Sequence, residues 1–116
     1  MTVRRVVPDL RAERPLDCRA FYEDVIGLRL QMDMGWIATY VSPDNETAQI
    51  TVMSADSTAP VTPDVSIEVD DIDAVHARAV AAGHDVMYGP VDEPWQVRRF
   101  FVRDPNGTIV NVMQHL

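Results

Sequence analysis

Three polar side chains alternate along one short β-like segment and are the first indication of a site. Asp64, Ser66 and Glu68 are separated by Val65 and Ile67. Because side chains at alternate positions of a strand point to the same face, the two carboxylates and the hydroxyl would share one side of a sheet. Such a set could serve general acid–base chemistry, or bind a cationic or hydrogen-bond-donating ligand. Carboxylates that are exposed to water or paired with arginine are the simpler interpretation.

The other reactive side chains form no arrangement typical of catalysis. His76, His84 and His115 are not spaced as a pair of metal ligands. Cys18 has no histidine near it in the sequence and lies in a predicted helix, where a small packing residue is the expected role. The sequence contains no Ser-His-Asp order, phosphate-binding loop or dinucleotide-binding fingerprint. Motifs therefore give no support to an enzymatic activity.

The composition predicts one globular domain of a reducing compartment. The chain has 116 residues, of which 47% are hydrophobic, enough for one core. Eighteen acidic and ten basic residues give a net charge of −8, which argues against nucleic acid or an anionic membrane as a partner. A single cysteine, no run long enough to span a bilayer and no signal-like N-terminus favour a cytoplasmic protein.

A supersecondary unit is repeated along the chain. Residues 42–45 (SPDN) precede the β-branched run at 50–53 (ITVM), and residues 104–107 (DPNG) precede a similar run at 110–113 (VNVM). Both turns contain a proline, and both runs end in Val-Met. The repeat predicts two half-domains with a pseudo-symmetric cleft between them.

The predicted elements follow the same order in both repeats. In each, a strand precedes a helix that ends in glycine, Gly27 or Gly83, and three further strands follow. The chain is therefore predicted to be one α+β domain with two βαβββ repeats, mainly antiparallel strands and outer helices. The predicted boundaries are 1–54 for repeat one, 55–63 for a linker rich in Pro, Ser and Thr, and 64–116 for repeat two.

Local patterns give some of these elements definite bounds. Apolar residues near helical spacing predict a helix over residues 16–26. Asp70 or Asp71 can cap the second helix and complement its dipole. A strand is predicted at 85–88, and a loop at 89–96.

The arrangement and three motifs resemble the vicinal oxygen chelate superfamily, which includes glyoxalases, extradiol dioxygenases and bleomycin-resistance proteins. The resemblance covers essentially the whole chain and implies a glyoxalase/bleomycin-resistance-like fold. It leaves the function open, because this scaffold carries both metal enzymes and metal-free binding proteins. The motifs are FYEDVIGL at residues 21–28, EVDDID at 68–73 and RFFVRDPNG at 99–107.

Enzymes of this superfamily usually hold a divalent metal with histidine, glutamate or glutamine side chains. The resemblance places these four positions at Val7, Thr51, Asp64 and Asn111, with Gln49 replacing Thr51 if the register shifts by one pleat. Valine cannot bind a metal, and threonine and asparagine are weak neutral donors. One aspartate is not the ligand set that Fe, Ni, Mn or Zn prefers. A site with no metal and no other cofactor is therefore expected.

Binding without a metal would depend on shape, aromatic surface and a few polar groups. Trp36 begins a predicted strand and Trp95 lies in a predicted loop. Metal-free resistance proteins of the superfamily hold flat drugs against aromatic rings, whereas packing in the core or a loop is the alternative for both indoles. The resemblance implies that the polar residues at the metal-ligand positions and beside them face the cleft. The predicted ligand-binding residues are Trp36, Thr51, Asp64, Ser66, Glu68, Trp95 and Asn111.

The leading functional prediction is a metal-free small-molecule binding protein of the bleomycin-resistance-like branch. Its ligand would be an aromatic, antibiotic-like compound, and the acidic balance makes a cationic compound one option. The first alternative is a metal-dependent lyase, isomerase or dioxygenase that uses Gln49, Asp64 and Glu68. The second is a dimeric domain whose cleft is filled by its own side chains. The resemblance also implies a homodimer, which would cover exposed sheet edges.

Overall fold

The computed structural model describes residues 2–116, which form eight strands, one α-helix and two short helical turns. In each half of the chain a strand is followed by a helical segment and then by three strands, which confirms the predicted α+β class and element order. The strands are β1 Val3–Arg11, β2 Arg29–Asp33, β3 Ile37–Val41, β4 Gln49–Met53, β5 Val65–Val69, β6 Val86–Glu93, β7 Val97–Arg103 and β8 Ile109–His115.

The chain divides into two compact units. The first unit is Val7–Val61, and the second unit comprises the described residues up to Val6 together with Thr62–Leu116. In the first unit the strand order is β2-β3-β4-β1, with β1 and β4 parallel and the other neighbours antiparallel. In the second unit the order is β5-β8-β7-β6, with β5 and β8 parallel and the other neighbours antiparallel.

Residues 16–26 are helical, but they do not form the regular helix predicted. The segment has a 3-10 turn at Pro15–Cys18 and a wider π-helical turn at Phe21–Ile26. Gly27 ends it in the left-handed conformation, with φ of 93°, and donates its N–H to the carbonyl oxygen of Tyr22. This hydrogen bond reaches back five residues, which is the spacing of a π-helix and explains the wide last turn.

The first unit has its own hydrophobic core, formed by Ala38, Tyr40 and Val52. The thiol-bearing Cys18 packs against this core, as its predicted packing role requires. The Tyr40 hydroxyl donates a 2.9 Å hydrogen bond to the carbonyl oxygen of Pro15, and burial raises the pKa of the Tyr40 phenol. Tyr40 is therefore a structural residue that ties the 3-10 turn to β3.

The helix of the second unit, α1, spans Ile72–Ala81. Asp71 is its N-cap and accepts a 3.2 Å hydrogen bond from the backbone N–H of Ala74, as predicted for one of the two aspartates. Gly83 follows the helix with φ of 79°. Neither α1 nor any other helical segment in residues 2–116 is long and apolar enough to span a membrane. One face of the sheet packs on α1 through Ile67, Val69, Ile72, Val75, Ala79, Phe100, Val110 and Val112.

The strand β6 is longer than predicted. The predicted strand ended at Tyr88 and was followed by a loop, whereas β6 continues to Glu93, which pairs with Val97 of β7. Gly89 and the proline after it mark an irregularity in the register rather than the end of the strand. Gly and Pro inside a strand are typical of such a bulge.

Replacing Gly89 with alanine is expected to destabilise the second unit strongly. Gly89 has φ of 78°, and a Cβ there would collide with the carbonyl oxygen of Arg99 and lie 3.1 Å from Phe100 Cα. Gly107→Ala is the matched control, because Gly107 has φ of 90° but no atom within 4 Å of the added Cβ. Urea denaturation should show a loss of about 1–2 kcal/mol for Gly107→Ala from backbone strain alone, and a clearly larger loss for Gly89→Ala. Equal losses would contradict the close approach of β6 and β7.

Candidate functional site

The sheet face of the second unit that lies opposite α1 carries most of the predicted polar residues, and we call it the polar face. Regular pairing of β5, β8, β7 and β6 sets cross-strand neighbours in rows, since partners on adjacent strands point to the same side. The first row is Ser66, Asn111, Phe101 and Tyr88, and the second is Glu68, Met113, Arg99 and Val91.

Asn111 is a buried amide at the centre of the polar face, with 6% of its surface exposed. Its Nδ2 donates a 3.0 Å hydrogen bond to Oγ of Ser66, directly opposite on β5. Its Oδ1 is also buried and accepts no hydrogen bond from any of residues 2–116. A desolvated acceptor without a partner costs about 1–3 kcal/mol. Asn111 therefore presents an oriented acceptor that a bound N–H or O–H group would satisfy.

A buried ion pair joins β6 and β7 on the same face. Arg99 Nε donates to Glu93 Oε2 at 2.6 Å, and Arg99 Nη2 lies 2.5 Å from the same oxygen. The two side chains are 5% and 3% exposed. Tyr88 adds a hydrogen bond from its hydroxyl to Glu93 Oε2 at 3.2 Å. The Glu93 charge is therefore held by one guanidinium and one phenol.

Three aromatic rings surround the guanidinium of Arg99, and we call them the aromatic box. The Arg99 Cζ atom lies 4.9 Å from the ring centroid of Phe101, 5.2 Å from that of Trp95 and 5.5 Å from that of Tyr88. Each distance is within the range of a cation–π interaction. The cation that fills this box belongs to the protein itself.

Glu68, in the second row, binds two basic side chains. Its Oε1 lies 2.6 Å from Arg5 Nε, an ion pair without hydrogen-bond geometry, and its Oε2 lies 2.7 Å from His115 Nδ1. The Glu68 side chain is 14% exposed. His115 is the last residue of β8, and this contact joins its ring to β5.

Asp64 directly precedes β5 and does not lie in the centre of the polar face. Its Oδ2 accepts a 2.8 Å hydrogen bond from the backbone N–H of Ile109, and its own N–H donates to the Ile109 carbonyl oxygen at 2.8 Å. Asp64 is exposed. The carboxylate therefore anchors the start of the parallel β5–β8 pair.

The positions predicted in the first unit are buried and engaged with near neighbours. Thr51 Oγ1 lies 3.4 Å from Oγ1 of Thr39, its partner on β3. Gln49 donates from Nε2 to the carbonyl oxygen of Glu46 at 3.0 Å. Val7 is 6% exposed. These contacts join neighbouring parts of the first unit.

The two tryptophans lie in different units. Trp36 precedes β3 in the first unit, is half-buried and accepts a 2.9 Å backbone hydrogen bond from Ser54. Trp95 lies in the turn between β6 and β7, where its ring contacts Arg99. The structure thus brings Trp95, Ser66, Glu68 and Asn111 onto elements of one unit.

The residues at the superfamily's metal positions do not fit a divalent metal. In the part of the chain that the structure describes, no three His, Cys, Asp or Glu side chains are grouped so that they could hold a metal ion. Of the two polar positions in the second unit, Asp64 is bonded to backbone and Asn111 offers one neutral oxygen. Metals of this kind need several nitrogen, sulfur or anionic oxygen donors.

Sequence reasoning missed the buried ion pair and the aromatic box. Arg98 and Arg99 are adjacent in β7 and have different partners: Arg98 pairs with Asp92, while Arg99 pairs with Glu93. Alternation along β7 could have placed Phe101 beside Arg99. The ion pair and the rings of Tyr88 and Trp95 were missed because the residues after Tyr88 were predicted to form a loop. This prediction left Glu93 outside any strand.

The matched family model establishes the class of protein. The model for the Glyoxalase/Bleomycin resistance protein/Dioxygenase superfamily matches residues 6–112. The chain belongs to this superfamily, as the three motifs indicated. A search of curated proteins found no match.

Solved structures with similar folds come from several bacteria. A superfamily member from Vibrio splendidus 12B01 is 19% identical, with a TM-score of 0.71 and 99% of this chain and 100% of that chain covered. Methylmalonyl-CoA epimerase from Mycobacterium tuberculosis is 19% identical, with a TM-score of 0.69 and coverage of 98% and 87%. A Mn(II)-bound glyoxalase from Novosphingobium aromaticivorans is 24% identical, with a TM-score of 0.67 and coverage of 97% and 38%. These similarities show the fold.

Removal of one partner of the buried ion pair is expected to destabilise the protein. Arg99→Met leaves Glu93 charged and buried, and should lower the free energy of unfolding by about 3–5 kcal/mol. The double variant Arg99→Met/Glu93→Leu should recover most of this loss, because no unpaired charge remains. Arg98→Met is the control: Arg98 is bonded to Asp92, whose pKa it lowers, but the pair is exposed and its loss should be much smaller. Equal stabilities of the single and double Arg99 variants in urea would contradict the argument.

Proposed function

We propose that this protein is a metal-free small-molecule binding protein of the bleomycin-resistance-like branch, and that it holds an aromatic ligand on the polar face. The observation that carries the proposal is Asn111 Oδ1, a buried acceptor that no residue among 2–116 satisfies. Native proteins seldom leave such an atom unpaired without a role. A ligand that donates one hydrogen bond to this oxygen would remove the penalty.

The neighbours of Asn111 fix the direction of that hydrogen bond. The hydrogen bond from Nδ2 to Ser66 restrains the side-chain amide, and in this orientation Oδ1 has no partner among residues 2–116. Ser66 is therefore a positioning residue in this proposal. Orientation before binding reduces the entropy that a ligand must lose.

The aromatic surface beside Asn111 favours a flat ligand. Phe101 is the cross-strand neighbour of Asn111, and its ring lies 5.3 Å from the ring of Tyr88. Aromatic rings attract flat molecules through large apolar contact and stacking. Trp95 extends this surface at the end of the aromatic box. Trp36 and Thr51, in the first unit, remain predicted ligand-binding residues.

We also propose the homodimer and the cytoplasmic location that the sequence analysis predicts. A homodimer is supported by exposed apolar side chains on the helical turns of the first unit, where Phe21, Val25 and Ile26 are 53%, 70% and 55% exposed. A cytoplasmic location is supported by Cys18, a free thiol.

Divalent metals should not be retained at the polar face. After dialysis of tag-free protein against Ni, Fe, Mn and Zn in turn, elemental analysis should find far less than one metal ion per chain, because the donor set is too weak. Asp64→Ala is the matched variant and should retain no less metal than the wild type. Stoichiometric metal that disappears in Asp64→Ala would instead support a metal-dependent lyase, isomerase or dioxygenase.

Asn111→Leu should separate binding from stability. The substitution keeps a similar volume and removes both the unpaired acceptor and the hydrogen bond to Ser66, so these opposing effects should change the free energy of unfolding by less than about 1 kcal/mol. Affinity for any aromatic compound found by a tryptophan-fluorescence screen should fall by about tenfold or more, since a lost hydrogen bond is worth about 1–1.5 kcal/mol. Asn106→Ala, in the exposed turn before β8, is the control and should change neither. A hit that binds Asn111→Leu as tightly as wild type would refute the role of Asn111.

A further inference from the structure

We infer that the ligand of the polar face is an uncharged, flat hydrogen-bond donor rather than a cation. This inference rests on the proposed function and concerns the charge of the ligand. The acidic composition favoured a cationic ligand only if carboxylates of the site are free to receive one. The charges of the polar face indicate that they are not.

Glu68 in the second row and Glu93 at the end of β6 already have cationic or basic partners. Glu68 uses one oxygen for Arg5, at 2.6 Å, and the other for His115, at 2.7 Å. Glu93 holds the guanidinium of Arg99 at 2.5 and 2.6 Å. A ligand cation would have to displace one of these internal partners, and would leave that partner without its counter-ion.

The aromatic box also opposes a cation. The π faces of Tyr88, Trp95 and Phe101 would attract a ligand cation, but Arg99 already occupies their centre at 4.9–5.5 Å. A ligand cation could reach these ring faces only by displacing the guanidinium, which would leave Glu93 without its counter-ion.

Asp64 does not reverse this balance. It is the exposed carboxylate at the start of β5, and the backbone N–H of Ile109 already donates to it. Solvent and salt weaken the attraction of an exposed charge. Asp64 can attract cations to the end of the strand, but it does not neutralise one beside Asn111.

A neutral donor meets none of these obstacles. Asn111 Oδ1 has no hydrogen-bond partner among residues 2–116 and can accept from an N–H or O–H group once neighbouring side chains move, and Phe101 is its cross-strand neighbour. Met113 lies between Glu68 and Arg99 in the second row, and its unbranched side chain can change rotamer to admit a ring. Because Asn111 is 6% exposed, a ligand must displace side chains around it, and a slim planar group requires the least displacement. Indole-, phenol- and lactam-type compounds have this chemistry.

Two matched pairs of indoles test the donor and the charge separately. Indole and 1-methylindole differ in the N–H, and tryptophol and tryptamine differ in a hydroxyl against an ammonium group at the same position. Dissociation constants are measured by NMR titration at pH 7, with the Asn111 side-chain amide signal as the local readout. Indole should bind about tenfold more tightly than 1-methylindole, and tryptamine no more tightly than tryptophol.

Variants at the same position complete the test, with the indole N–H signal of Trp95 as the readout because the Asn111 amide is absent from them. Asn111→Leu should bind indole and 1-methylindole equally, because the acceptor is gone. Asn111→Asp adds a negative charge at the same position, and should make tryptamine bind more tightly than tryptophol.

Each contrary result has a separate meaning. Tighter binding of tryptamine than tryptophol by the wild type would overturn the charge inference, and equal binding of indole and 1-methylindole would overturn the donor inference. Either would leave the proposed binding function standing. Failure of all four probes to shift the Asn111 signal, together with no hit in the wider aromatic screen, would overturn the proposed function itself.

Discussion

The register of β8 between β5 and β7 is the constraint on which the polar face depends. It places Asn111 between Ser66 and Phe101, and Met113 between Glu68 and Arg99. A shift by one residue would turn Asn111 towards α1, where the core is apolar, and would expose its neighbours on the polar face. The register is therefore held by the packing of the opposite face, where the valines of β8 meet the helix.

The charged side chains of the polar face mainly fix the positions of their neighbours. A buried ion pair contributes little net stability, because desolvation offsets the attraction. Its geometric effect is larger: Glu93 fixes the guanidinium of Arg99, and the guanidinium lies against three rings that would otherwise have more freedom. Glu68 similarly connects the first residues of β1 to the end of β8 through Arg5 and His115. Rigid side chains of this kind favour a preformed site.

Sequence patterns predicted the features that local chemistry decides. The alternation of β5 placed Ser66 and Glu68 on one face, and the cap at Asp71 followed from the preference of aspartate for that position. The π-helical turn before Gly27 and the long β6 were not predicted. The long β6 depends on a partner strand: it continues past Gly89 because it pairs with β7, and only this pairing brings the ion pair and the aromatic box together.

Asn111 marks the chemical difference between this chain and the metal enzymes of the superfamily. The superfamily resemblance assigns the position of Asn111 on the last strand to a metal ligand. An anionic side chain there would attract a cation, whereas an amide carries both a donor and an acceptor and no charge. One of the two N–H groups of the amide is bonded to Ser66, and the oxygen has no hydrogen-bond partner among residues 2–116. The position that the resemblance assigns to a metal ligand therefore carries a neutral, directional hydrogen-bonding group on the same fold.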